Sequence, residues 1–222
     1  MSETLPLFPL GTVLFPGLLL PLHIFEERYR QLVRDLVSQP EPQRFGVVAI
    51  REGRETGFEG VSALYEIGCT ATVRRVSERD DGGYDLVTVG ADRFRLIALD
   101  DSKPYFQGEV EFLPENAGGE AAASIAVQAV QRAFHAYAEA LNARGATQVS
   151  IPELPDDPLA LSYLVAASMI ADLHDRQALL AEPDGLRRLG AERTLLSRET
   201  SMLRSLTSTP APEFRYAPYS PN

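Results

Sequence analysis

The sequence predicts an α+β fold in which an antiparallel β half precedes a helical half, and three observations carry that prediction. Short runs rich in Val, Ile, Phe and Tyr fill residues 45–113, separated by turn-forming Asp, Gly and Pro. After Pro114-Glu115-Asn116-Ala117-Gly118-Gly119, alanine and leucine replace the β-branched residues, and apolar positions recur every three or four residues instead of every two. The opening run over residues 5–29 is densely apolar yet broken by Pro9, Pro16 and Pro21, which rules out one long helix or one central strand. With 222 residues, 45% of them hydrophobic, the chain can bury one large core or two adjoining ones. The expected division is a β subdomain over residues 1–117 with one helix near 25–38, a helical bundle over 118–206, and a proline- and aromatic-containing tail over 207–222.

The opening run divides into short strands with a corner at Pro16-Gly17, and a helix follows the last proline. On that helix Phe25, Tyr29, Leu32, Val33 and Leu36 form one apolar stripe. Strands are then expected at residues 45–50, 61–66, 69–76, 84–89, 94–99 and 105–113, with hairpin turns at Asp80-Asp81-Gly82-Gly83 and Asp100-Asp101-Ser102-Lys103-Pro104. Alternation places Cys69, Ala71 and Val73 on one face and Thr70, Thr72 and Arg74 on the other, so one arginine of the Arg74-Arg75 pair points outward. Residues 51–57, charged and glycine-containing, read as a mobile loop.

In the second half, Val130, Phe134, Tyr137 and Leu141 stripe a long helix that ends near Arg144-Gly145. Asp157 and Pro158 supply an acidic cap and a first-turn proline for the next helix. That helix is apolar nearly all round, through Leu159, Leu161, Leu164, Val165, Met169 and Ile170, which places it at the bundle centre. A short helix follows over residues 175–182, and the last begins at Pro183-Asp184 and stops near Leu206. Its Leu189, Leu196 and Leu203 recur every seven residues and read as bundle core ahead of a dimer seam. The tail carries Phe214, Tyr216 and Tyr219, expected to pack extended in a groove of this or a neighbouring molecule.

Composition excludes several chemistries. The single lysine, Lys103, is not in a glycine-rich loop ending in Lys-Ser or Lys-Thr, so no Walker-A phosphate site exists in this sequence. Lys103 instead reads as a solvated turn residue. One cysteine and three histidines, His23, His135 and His174, have no ligand spacing, so neither a metal nor another cofactor is expected. Cys69 reads as a buried inert thiol, and a lone cysteine fits a cytoplasmic protein. The apolar segment 18–22 is too short to cross a membrane. A formal net charge of -10 opposes nucleic-acid binding, and the basic pairs Arg74-Arg75 and Arg187-Arg188 read as solvated faces.

The opening segment Leu5-Pro6-Leu7-Phe8-Pro9-Leu10-Gly11-Thr12-Val13-Leu14-Phe15-Pro16-Gly17, with Ile67-Gly68-Cys69-Thr70-Ala71-Thr72-Val73, Gly90-Ala91-Asp92-Arg93-Phe94-Arg95-Leu96 and Asp157-Pro158-Leu159-Ala160-Leu161-Ser162-Tyr163, resembles the N-terminal, substrate-binding domain family of Lon proteases. More distantly, the chain is similar to the Lon-like domain of cereblon. The resemblance runs over nearly the whole chain and implies a PUA-like antiparallel β-barrel followed by an α-helical bundle. It also implies a standalone, non-enzymatic module that binds unfolded or flexible polypeptide segments, lacks ATPase and peptidase domains, and works with a protease or other quality-control protein.

Exposed apolar surface is what captures a flexible chain. The candidate binding residues are therefore Phe15, Pro16, Leu18 and Leu19 at the corner, with His23 nearby and Arg93 on a barrel rim after a Gly-Ala-Asp turn. Glu26, Arg28, Tyr29 and Phe94 are read as structural: Glu26 caps the helix or pairs with Arg28 or Arg93, His23 meets backbone carbonyls, and Phe94 belongs to the core. No nucleophile lies near His23 and Glu26, so no catalytic residue is assigned. Two other readings remain open: an enzyme or small-ligand binder with a pocket between barrel and bundle, and a scaffold or dimerisation protein.

Overall fold

The structure, a computed structural model, describes residues 2–53, 61–143 and 153–205. The strands are β1 (Ser2–Leu10), β2 (Leu19–Ile24), β3 (Arg44–Gly53), β4 (Val61–Leu64), β5 (Ile67–Glu78), β6 (Tyr84–Asp100) and β7 (Gln107–Phe112), with helix α1 (Glu27–Val37) between β2 and β3. Four helices follow: α2 (Glu120–Asn142), α3 (Pro158–Ser168), α4 (Leu173–Ala181) and α5 (Gly185–Ser205). Neighbouring strands run in the order β1-β7-β6-β5-β3. A parallel pairing of β1 with β3, Leu7 beside Gly46 and Leu10 beside Ala49, closes them into a barrel that is otherwise antiparallel. β4 folds back on β3, and β2 lies along the first part of β6. Pro21 is tolerated within β2 because, among the described residues, that strand has a partner on one side only.

β6 corrects the sequence expectation most clearly. It was expected as two strands with a turn at Gly90-Ala91-Asp92, but it runs unbroken for 17 residues. Gly90 is needed for a close approach, because the Pro16-Gly17 corner packs directly on it. The Gly17 N–H donates to the Gly90 carbonyl and the Gly90 N–H donates to the Leu18 carbonyl, both at 2.8 Å. A Cβ on Gly90 would lie 2.2 Å from the Phe15 carbonyl oxygen. Gly17 is the residue in the left-handed region, with φ +79. Gly90→Ala is expected to destabilise the protein by about 2 kcal/mol through this backbone clash, measured as a lowered urea midpoint.

Among the described residues the two larger of three hydrophobic clusters organise the molecule; the third, of Leu5, Leu7, Val48, Phe94 and Val110, fills the barrel beside them. One fills the barrel beneath α1, where Tyr29, Leu32, Val33 and Leu36 meet Phe8, Phe45 and Leu86, and Phe8 stacks on Tyr29 at 4.1 Å. Phe25 falls outside the expected stripe: the helix begins two residues later, at Glu27, and Phe25 is 56% exposed. The other core joins barrel to bundle, with Val13, Phe15 and Ala49 against Phe134, Leu161, Leu189 and Leu196. Leu189 and Leu196 are buried here and offer no dimer seam. Asp157 caps α3 by accepting from the Ala160 N–H at 2.7 Å, with Pro158 in the first turn. α3 ends at Ser168, which leaves Met169 buried and Ile170 exposed.

Lys103 is not simply solvated. Its ammonium donates to Asp35 at 3.2 Å and to the Tyr105 hydroxyl at 3.0 Å, tying the β6–β7 connection to α1. Residues 51–53 of the expected mobile loop belong to β3. The remainder of that loop, Gly145 and the tail 207–222 lie outside the described residues. Among the described residues, no helix is long and apolar enough to cross a membrane, and no cluster of His, Cys, Asp or Glu is arranged to hold a metal.

Candidate functional site

Register assembles an outer surface from β2, β6 and β5. Leu19 sits beside Val89 and Thr72, Pro21 beside Val87 and Arg75, and His23 beside Asp85 and Ser77. Side chains directly opposite one another share a face of the sheet. The inward positions Leu86 and Thr88 are buried, whereas Leu19 is 68% and Val87 36% exposed, and Pro21 is exposed as well. The result is an apolar strip on a three-stranded surface. A β-bulge between Val73 and Arg75 inserts Arg74 as an extra residue, so both arginines are exposed rather than one.

The sequence-selected residues separate in space. Leu19 lies on this strip and His23 at its end; Pro16 and Leu18 are half-buried at the corner. Phe15 is only 1% exposed and plugs the bundle-facing core, because the corner tucks its ring inward, so it presents no surface to a ligand. His23 does not satisfy backbone carbonyls: its Nδ1 meets Asp85 at 2.9 Å, and Arg79 donates to the same carboxylate at 3.0 Å. The His23 hydrogen bond, then that of Arg79, lowers the Asp85 pKa. Glu26 stands at the N-cap of α1 without a side-chain capping bond and accepts from Arg28 Nε at 3.0 Å. Beside His23 a hollow of about 120 Å³ opens between Leu22, Phe25, Glu26 and Tyr29. That volume suits one side chain rather than a cofactor.

Arg93 is not on a rim. It is fully buried at 0% exposure. Its Nε donates to Glu115 at 2.8 Å, and its other nitrogens donate to the carbonyls of Leu180 at 2.9 Å, Glu182 at 3.1 Å and Pro114 at 3.3 Å. Arg188, expected on a solvated face, is also at 0% exposure and donates to the Leu179 and Glu182 carbonyls and to Ser162. Both guanidiniums thus gather the carbonyl end of α4, where the helix dipole is negative. Tyr163 links them, its hydroxyl donating to Glu115 at 2.7 Å while its ring lies under Arg188 at 4.3 Å. Burial, the largest influence, raises the Tyr163 pKa and keeps it a neutral donor. Phe94 is fully buried in the barrel, as a core residue should be.

The model of the ATP-dependent protease La (LON) substrate-binding domain matches residues 4–198. The chain belongs to the Lon substrate-binding domain family. Among curated relatives it is 27% identical over 209 residues to Lon protease 2 of Myxococcus xanthus and 25% identical over 202 residues to Lon protease of Escherichia coli K12. These matches cover 92% and 90% of the chain, which spans about a quarter of the length of those relatives (24% and 25%). Of solved structures, a Lon N-terminal domain protein from Xanthomonas campestris superposes with a TM-score of 0.62 at 26% identity, over 88% of this chain and 98% of that one. The N-terminal domain of Mycobacterium avium complex Lon protease shares the fold, with a TM-score of 0.59 at 17% identity over 90% of this chain and 98% of that one. The α+β fold, with its β-barrel ahead of a helical bundle, is therefore that of Lon N-terminal domains.

For this Lon-family chain, sequence reasoning missed Pro21 and Val87 as exposed residues, with Val89 half-buried beside Leu19. Their signal was present: an apolar residue at every second position of two strands that pair, beginning at Leu19 and at Val87. The pairing itself is not local information.

Proposed function

We propose that this chain is a non-enzymatic recognition module that holds flexible polypeptide segments on its barrel, while a protease or other quality-control component supplies unfolding and cleavage. The observation that carries this reading is the exposed apolar strip of Leu19, Pro21 and Val87 on paired strands. Residues 1–117 carry the recognition face, and the bundle over 118–206 supports the barrel through the core that Val13, Phe15 and Ala49 share with it. Lys103 argues against Ser-Lys chemistry: its hydrogen bonds to Tyr105 and then Asp35 raise its pKa, whereas a lysine base needs a lowered one. The net charge of -10 disfavours a nucleic-acid role, and one buried thiol suits a reducing cytoplasm.

Leu19→Ser is expected to weaken binding of peptides from a denatured-protein digest by about tenfold, since losing most of one leucine's burial is worth about 1.5 kcal/mol. The melting temperature should not move, because Leu19 packs little of its surface in the free protein. Fluorescence anisotropy measures the first effect and circular dichroism the second; no binding by any peptide of a wide panel would refute the reading. A small-ligand reading draws on a groove of about 300 Å³ between Tyr65, Ile67, His174 and Gln177. It is the weaker of the two because that groove is open and its wall largely apolar.

A further inference from the structure

We infer that the barrel face selects polypeptide segments in which an apolar residue is followed or preceded closely by Asp or Glu; this inference rests on the polypeptide-binding reading above and adds a charge preference to it. The starting point is a mismatch between composition and surface. The chain has 31 acidic and 21 basic residues, and Arg28, Arg44, Arg79, Arg93 and Arg198 each meet a carboxylate. Among the described residues Arg74 and Arg75 do not, nor do Arg95, Arg132, Arg176, Arg187, Arg193 and Arg204, but of these Arg74 and Arg75 are the pair that the β5–β6 register sets beside the apolar strip. Among the described residues Arg74 has no polar partner, and Arg75 has only a hydrogen bond from its Nε to the Ser77 hydroxyl at 3.2 Å.

Their placement follows from the bulge. Regular alternation would turn Arg75 inward, toward the side occupied by the buried Thr88 opposite Val73. The extra residue shifts the phase by one, and Arg74 and Arg75 both stand on the outer face beside Val87. Bulges re-aim side chains at functional surfaces, and this one sets two guanidiniums against an apolar strip in an acidic molecule. Free guanidiniums at the margin of an apolar surface complement carboxylates and repel cations, which gives specificity more than raw affinity.

Spacing sets the pattern of the partner. Arg75 faces Val87 across one strand spacing and Pro21 across two, about 5 and 10 Å. An extended segment advances about 3.3 Å per residue, so the carboxylate belongs about one to three residues from the apolar anchor.

The test uses three fluorescein-labelled peptides with one Phe-Leu core, flanked by Asp and Glu, by Lys, or by Ser, titrated with the whole chain at low salt. The acid-flanked peptide is expected to bind about five- to twentyfold tighter than the lysine-flanked one. R74E/R75E is expected to reverse that order and leave the serine-flanked peptide within about twofold. Both residues are exposed, and an unchanged melting temperature verifies that the variant is folded. Serine-flanked binding with no dependence on flank charge, or no response to R74E/R75E, overturns the charge preference while leaving the recognition reading intact. Failure of all three peptides overturns both. An oligothymidylate bound as tightly as the acidic peptide, and lost in R74E/R75E, would assign the arginines to polyanions generally and overturn the polypeptide assignment.

Discussion

Replacing Arg93 with alanine is expected to lower stability by about 3–5 kcal/mol, because removing one partner of a buried ion pair leaves the rest uncompensated. For a chain of this size that is a fall of roughly 10 °C in melting temperature. The Glu115 carboxylate and the carbonyls of Leu180, Glu182 and Pro114 would all lose a charged donor at once. Arg93→Lys is expected to recover little of this, since a single ammonium cannot fork toward β7's end and α4 together. Thermal melts by circular dichroism measure both variants; a midpoint within about 2 °C of the parent would refute the role assigned to this side chain.

Glu192→Gln is expected to flatten the pH dependence of stability. Glu192 lies at 0% exposure on α5, one turn beyond Arg188, and neither carboxylate oxygen has a hydrogen-bond partner among the described residues. Burial pushes its carboxyl well above the usual range, against the opposing charge of Arg188. Below the unfolded pKa of about 4.3 both states hold the proton and folding suffers no penalty. As pH rises past that value the unfolded chain ionises while the folded chain keeps its proton. Stability then falls by up to about 1.4 kcal/mol per pH unit until the raised folded value is reached. Urea denaturation at pH 5, 6.5 and 8 should show the parent losing ground to Glu192→Gln as pH rises. Parallel curves for the two proteins would sink the prediction.

Where sequence reasoning succeeded, the signal was local. The apolar stripe of α1 from Tyr29 to Leu36, the Asp157-Pro158 start of α3 and the change of period after Gly119 each act within a few residues. Its failures lie where contacts are distant. Arg93 reaches carbonyl oxygens 87 and 89 residues away, so nothing beside it in sequence marks it as buried. Gly90 carries the same local signature whether a chain turns or another backbone crosses it closely. Cys69, Thr70 and Ala71 are all buried, which defeats alternation because both faces of that part of β5 are covered. Of the candidate site, Leu19 and His23 were legible from the apolar opening run, whereas the bulge that frees Arg74 and Arg75 depends on register with β6.

The unbroken course of β6 has a mechanical consequence. One strand carries Val87, within the outer strip, and Arg93 at the junction with α4, only six residues further on. A segment held on that strip and pulled along the strand direction would load β6 in shear, with the ladders to β5, β2 and β7 sharing the force, instead of peeling them one bond at a time. Tension would pass through Arg93 into the helical bundle without crossing a loop.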